Sequence, residues 1–213
     1  MSERASSKKR GACVIIAGAF MLSLAVLLFC GNLAEDMRAG KRSEKVVTVI
    51  EAAIEEAAVR DETAEADSPS APAGEYDAET QTVTVGGYAY IGYICIPKLS
   101  LELPVMADWD YDRLKTAPCR QYGAAMTDDL VIAGHNYKSH FARLKELACG
   151  DTVVFRGADG RETVYSVEDT GVLGAEDITP VRESGYDLVL YTCTYTGKER
   201  VTVFCRRTQT NPM

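Results

Sequence analysis

Two kinds of hydrophobic pattern divide the chain. Ala12 to Cys30 is an unbroken apolar run without a charge, about the ~20 residues a helix needs to cross a hydrocarbon core. From about Thr82 onward the apolar residues instead come in short runs bounded by Gly, Pro, Asp and Ser, the texture of strands and turns. Thr82–Val85, Gly-Gly and Tyr88–Ile96 read as a hairpin entering a long strand that Pro97 ends, followed by the extended piece Leu101–Val105. Leu130–Ala133, Thr152–Phe155, Thr163–Val167, Leu188–Tyr191 and Arg200–Phe204 read as further strands. Asp108–Thr116 is expected to form one helix. Ser139 is expected to cap a second, with Phe141, Leu144 and Leu147 on one face and its end at Gly150. Ala175–Gly185 has room for one helical turn. Seven or eight short strands with two or three short helices place the domain in the mainly β class, as a barrel or a sandwich.

Between the two patterns lies an acidic stretch. Residues 31–80 carry 13 acids against 5 bases and almost no aromatic residues, a composition that predicts a stalk without a core of its own. Glu44–Ala66 has the composition of a helix of several turns, and Asp67-Ser-Pro-Ser-Ala-Pro-Ala-Gly74 reads as a linker. The expected organisation is a tail (1–11), a transmembrane helix (12–30), the stalk (31–80), a catalytic domain (81–208) and a short C-terminal tail (209–213).

Charge settles orientation and excludes one function class. The net charge is -8. Residues 1–10 hold four Lys/Arg and one acid, and by the positive-inside rule Lys8-Lys9-Arg10 keep the N-terminus cytoplasmic and place the remainder outside. A cleaved signal peptide fits less well, because the apolar run is long for one and no small-x-small site follows it. Residues 81–213 carry 17 acids and 14 bases with no basic patch, which sets nucleic-acid binding aside.

Seven cysteines are present without a Cys-x-x-Cys pair or zinc-like spacing. Cys193 stands apart, because it lies where the run Leu188–Tyr191 ends, before a Gly-Lys-Glu loop at 197–199. A thiol at a strand end can meet partners from elsewhere in the fold, and catalysis there needs a neighbouring base or cation. His135, in Val131-Ile-Ala-Gly-His-Asn136, also ends an apolar run, and Gly134 leaves its approach uncrowded. With Val201, Val203 and Cys205 turned inward, Arg200 faces the opposite side, within reach of Cys193 across the loop. His140 lies inside a predicted helix and reads as a packing or surface residue, and Lys198 is the alternative cation.

These residues carry a family resemblance. Val189-Leu-Tyr-Thr-Cys193, the upstream Gly-His-Asn and an arginine on the following strand resemble the sortases, membrane-anchored cysteine transpeptidases of Gram-positive bacteria. Gly92-Tyr-Ile-Cys-Ile-Pro97, Leu103-Pro-Val105 and Phe141-Ala-Arg-Leu144 extend the likeness over roughly 82–207, and Val189 departs from it where Thr or Ser is usual. The resemblance implies a closed β-barrel in which Cys193 is the nucleophile, His135 the acid and base, and Arg200 the oxyanion or substrate holder. Thr192 and Asn136 are weaker carry-overs as substrate contacts. The implied substrate is the sorting-signal peptide of a surface protein, and the implied acceptor is an amine of the cell wall or its precursor. No redox or organic cofactor is implied. Some members use calcium, for which Glu102, Asp108 and Asp110 form no clear site. Papain-like peptidases and L,D-transpeptidases match the order and surroundings of His and Cys less well. The non-enzymatic alternative is a tethered β-domain that binds wall or protein partners with an inert Cys193.

Overall fold

The computed structural model describes residues 2–64, 81–177 and 179–208, and the side chains of 15–57 within the N-terminal helix. The linker expected at Asp67–Gly74 and the C-terminal tail lie outside the described residues. The chain divides into two compact units, residues 1–38 and 39–213. The first belongs to a helix, α1 (Ser2–Ala64), that continues into the second. Ile15, Phe20, Leu22, Leu27 and Phe29 are exposed on it, and it is the one helix among the described residues long and apolar enough to cross a membrane.

The second unit holds nine strands: β1 (Val83–Val85), β2 (Tyr88–Ile96), β3 (Leu101–Met106), β4 (Cys119–Tyr122), β5 (Leu130–Gly134), β6 (Thr152–Gly157), β7 (Glu162–Gly174), β8 (Leu188–Cys193) and β9 (Glu199–Arg207). They hydrogen-bond in the order β1-β2-β3-β4-β5-β8-β9-β7-β6, and β6 pairs back onto β2. Eight strands therefore close a barrel, with β1 outside the ring as a hairpin arm. Closure removes the unpaired edges an open sheet would expose. Gly92 lies at the closure with φ 142, where a Cβ would collide with the Arg156 carbonyl, so only glycine fits. Alternate residues of each strand fill the interior: Leu130 and Ile132, Leu188 and Leu190, Val203 and Cys205 all belong to one buried cluster.

Strand alternation locates most of the ring, with three differences. β4 has no counterpart among the expected strands, because Cys119-Arg-Gln-Tyr122 does not alternate and Pro118 precedes it. The helix expected over Asp108–Thr116 is a turn followed by a 3-10 turn, Arg113–Lys115. Asp110 Oδ1 accepts the backbone N–H of Asp112 at 2.8 Å, so the side chain competes with helical bonding. The helix expected after Ser139 is likewise a set of turns ending in the 3-10 turn Leu144–Glu146. The Phe141 N–H bonds the His135 carbonyl at 3.2 Å instead of continuing a helix, yet Phe141, Leu144 and Leu147 are all buried as expected. The single helical turn between β7 and β8 is α2 (Thr179–Arg182).

The stalk differs most from expectation. Val47, Ile50 and Ile54 recur at helical spacing and are buried with Tyr90, Tyr93, Met106, Ala117 and Cys119 in a second cluster. Tyr93 donates its hydroxyl to Glu51 at 3.0 Å, and the Gly40 backbone passes close to Ser139. An acidic composition does not prevent core formation here, since Glu44, Glu55 and Glu56 are exposed and Glu51, at the edge of the buried stripe, is satisfied by Tyr93. Ile50 is 0% exposed, so Ile50→Ala is expected to cost about 2–5 kcal/mol. That is roughly 4–20 °C in Tm by differential scanning calorimetry. An unchanged Tm shows that α1 is not part of the cooperative unit.

Candidate active site

Register brings the three candidate residues to one level of the barrel. β5 runs parallel to β8, with Ala133 opposite Tyr191 and Gly134 opposite Thr192. His135 follows Gly134 and Cys193 follows Thr192, each one residue past the last pair of that ladder. β9 runs antiparallel to β8, and Arg200 is the direct partner of Cys193. Residues at one level of neighbouring strands point to the same side. The interior is filled from Leu190 on β8, Ile132 on β5 and Val201 and Val203 on β9. Cys193, His135 and Arg200 therefore share the outer face at the end of three adjacent strands, each half-buried.

Local contacts fix two of the three. A Cβ on Gly134 would collide with the Phe141 ring, so the missing side chain lets the post-β5 turn pack down beside His135. His135 Nδ1 accepts the backbone N–H of Asn136 at 2.9 Å, which sets the ring rotation and leaves Nε2 to carry the proton of the neutral ring. The Tyr137 ring lies 4.1 Å from His135 and 5.5 Å from the fully buried His140, between the two histidines. Arg200 Nη1 donates to the Gly197 carbonyl at 3.0 Å and the Glu199 carbonyl at 3.2 Å. The guanidinium is thus tied to the β8–β9 loop with donors to spare.

The two weaker candidates contribute through the fold. Thr192 is 2% exposed and donates its hydroxyl to the Gly134 carbonyl at 2.8 Å, stapling β8 to β5 directly beneath the Cys193–His135 level. Asn136 acts on His135 through its backbone N–H.

The other barrel cysteines differ in environment. Burial pushes the Cys205 thiol up to about 12 and the Cys119 thiol up to about 11. Both are protonated at neutral pH, and a protonated thiol is a poor nucleophile. Among the described residues no group of three or more His, Cys, Asp or Glu is placed to hold a metal ion.

Ala133 and Tyr191 pair two residues back from the Cys193 level, on the same outer face. Tyr191 donates its hydroxyl to Gln121 Oε1 on β4 at 2.7 Å, and burial raises its pKa well above the ordinary phenol value, so it remains a neutral donor. Strand alternation points to Tyr191, two residues before Cys193 on the same face. Gln121 leaves no such signal, because its strand does not alternate. On the other side α2 buries Val181 against Val131, Val189 and Phe204. The Arg182 guanidinium lies 4.3 Å over the Tyr122 ring, so the β7–β8 connection reaches across to β4. The arrangement groups a thiol, an imidazole and a guanidinium at the ends of neighbouring barrel elements.

Comparison with known proteins agrees with this architecture. The chain is similar to sortase C1 from Streptococcus agalactiae, at 22% identity over 63% of this chain and 75% of that chain, with a TM-score of 0.52. It is also similar to a lid mutant of sortase A from Corynebacterium diphtheriae, at 20% identity over 78% of this chain and 96% of that one, with a TM-score of 0.53. A third similar structure is the intermolecular complex of Clostridium perfringens sortase C with the C-terminal cell wall sorting signal motif. Identity there is 25%, over 58% of this chain and 68% of that chain, with a TM-score of 0.50. No curated protein matches the chain. Residues 94–208, more than half of the chain, match the Sortase domain, and the chain belongs to the sortase family.

Proposed function

We propose that the protein cleaves a C-terminal sorting signal in secreted surface proteins and transfers the new carboxyl end to an amine of the cell wall. The observation that supports this reading is the register of β5, β8 and β9, in which Gly134, just before His135, pairs with Thr192 and Arg200 pairs with Cys193. The Cys193 thiolate attacks the scissile carbonyl, and Arg200 donates to the oxygen on which negative charge develops. His135 as imidazolium gives its proton to the leaving amine as the C–N bond breaks, leaving a thioester on Cys193. The imidazolium form gives up the Asn136 bond at Nδ1, and the neutral ring regains it. Neutral His135 then takes a proton from the incoming amine, which attacks the thioester and expels the thiolate. The outer face of β5 and β8 beside Cys193, where Ala133 and Tyr191 lie, is the place for an extended peptide. Support for a sorting-signal substrate comes from the C. perfringens sortase C complex with such a motif.

In the same reading the apolar run of α1 is a single-pass anchor in the plasma membrane, with Lys8-Lys9-Arg10 on the cytoplasmic side and the barrel outside. The test supplies the full-length chain with a panel of sorting-signal peptides and a series of primary amines and follows ligated product. Product whose yield rises with amine concentration supports transpeptidation. Absence of both cleavage and ligation across the panel leaves the tethered binding module as the better account.

A further inference from the structure

We propose that the cleft beside the β3–β4 connection is a saccharide-binding site. The connection leaves β3 and exposes an aromatic pair: Trp109 is 41% and Tyr111 66% exposed, with rings 5.4 Å apart and edge-on. The backbone around the pair is anchored. Asp108 pairs with Arg113 at 3.0 Å, and Asp110 accepts from the Asp112 N–H at 2.8 Å. Trp109 is therefore held by a structured loop without being folded into the core, a position that favours a partner for its ring.

Trp109 lines an open cleft of about 670 Å³ together with Asp108, Arg120, Gln121, Thr127 and Asp129. That is within the ordinary range for a small-ligand site. Its polar groups decide the class of ligand. Asp108 is paired with Arg113, Asp129 accepts from the Ala124 N–H and the Thr127 hydroxyl, and Arg120 Nε donates to the Ala107 carbonyl, so the lining is charge-balanced and keeps spare lone pairs and guanidinium N–H groups rather than a net charge for an ion. A neutral polyol uses both signs. Its hydroxyls donate to the carboxylates and accept from Arg120 and from the Gln121 amide N–H group, whose Oε1 already accepts from Tyr191. The C–H face of a pyranose ring covers the indole, whose face carries the negative side of the ring quadrupole.

The same Gln121 links the cleft to the Cys193 strand, because its partner Tyr191 lies two residues before Cys193 on one strand. A sugar chain bound here is one side chain from Tyr191, and it can bring an attached amine toward the thioester. That use rests on the transpeptidase reading, whereas saccharide binding itself does not.

Trp109 is the single tryptophan of the chain, so intrinsic emission reports on this cleft alone. The experiment titrates the full-length chain, in a detergent without sugar headgroups, with the tetramer of N-acetylglucosamine. A saturable change of Trp109 emission is expected in the unmodified chain and equally in Cys193→Ala. In parallel calorimetry, Trp109→Ala weakens binding at least tenfold and Trp109→Phe, which keeps a ring, weakens it less. Thermal melting confirms that each variant is folded. No saturable change, or binding undiminished in a folded Trp109→Ala or Trp109→Phe, overturns the proposal. Binding retained in a chain that never forms an acyl adduct sustains the saccharide site while removing the transpeptidase reading.

Discussion

His135→Ala lowers kcat/KM for peptide transfer by about 10²–10⁴-fold, the span a positioned acid and base contributes, with the barrel's melting temperature preserved. The two halves of that expectation come from one geometric fact. His135 is on the outer face one step past Gly134, so its removal leaves no cavity among the interior side chains. The Asn136 N–H and the Tyr137 ring, which it contacts, lie within its own turn. In the proposed mechanism both proton transfers pass through this ring, so cleavage and ligation fall together. His140 is the internal control, because it is fully buried and lies behind Tyr137. His140→Ala is expected to lower stability more than chemistry, so the two histidines separate on a plot of rate against Tm. Equal loss of rate and Tm in both variants removes the assignment of His135 as proton carrier.

Arg200→Ala lowers kcat by about 10²–10³-fold, the cost of losing one preorganised donor to a developing oxyanion. Arg200→Lys restores little of it. Arg200 holds the Gly197 and Glu199 carbonyls with Nη1 and keeps its other N–H groups for substrate. An ammonium is a point charge without the planar fork, so it cannot hold the loop and the reacting oxygen in the same geometry. A transition-state contact appears in kcat, whereas a contact made only with bound peptide appears in KM. Steady-state rates over a peptide series separate the two. A full return of kcat in Arg200→Lys shows that charge alone suffices and that the directional hydrogen bond is not needed.

Much of this site is legible in the strand pattern. Leu188–Tyr191 and Arg200–Phe204 alternate well enough to put Cys193 at a strand end and Arg200 on the outer face, and the same alternation points to Tyr191 on that face. The end of an apolar run singles out His135 as a partner, but its nearness to Cys193 is not legible from spacing. It depends on a parallel pairing of Gly134 with Thr192 on adjacent strands, 58 residues apart in the chain. β4 and its Gln121 stayed hidden because the strand is short, follows a proline and carries no alternation, so neighbouring strands define it. The short helices failed as helices for a local reason. Asp110 and the His135 carbonyl capture backbone N–H groups that a continuing helix would use. Yet the apolar positions within them were assigned correctly, since burial follows the side chain more than the backbone class. The stalk is the clearest case of average composition misleading. Thirteen acids outweigh Val47, Ile50 and Ile54 in any mean, while their spacing forms a stripe that the barrel buries.

Placement on the chain also sorts the cysteines. Cys119 and Cys205 lie in clusters where burial holds the proton on sulfur, and Cys149 is exposed with its sulfur 3.0 Å from the Glu168 carbonyl. Among the described cysteines, Cys193 alone has an arginine as its cross-strand partner and a histidine just past the end of the neighbouring strand.

The most direct measurement of that claim is the intact mass of the full-length chain after incubation with sorting-signal peptides and no amine, followed by peptide mapping. The account predicts one adduct of the mass of the peptide's N-terminal fragment, on Cys193, discharged by added amine and absent from Cys193→Ala. Cleavage that persists in Cys193→Ala, or an adduct mapped to Cys149, contradicts it.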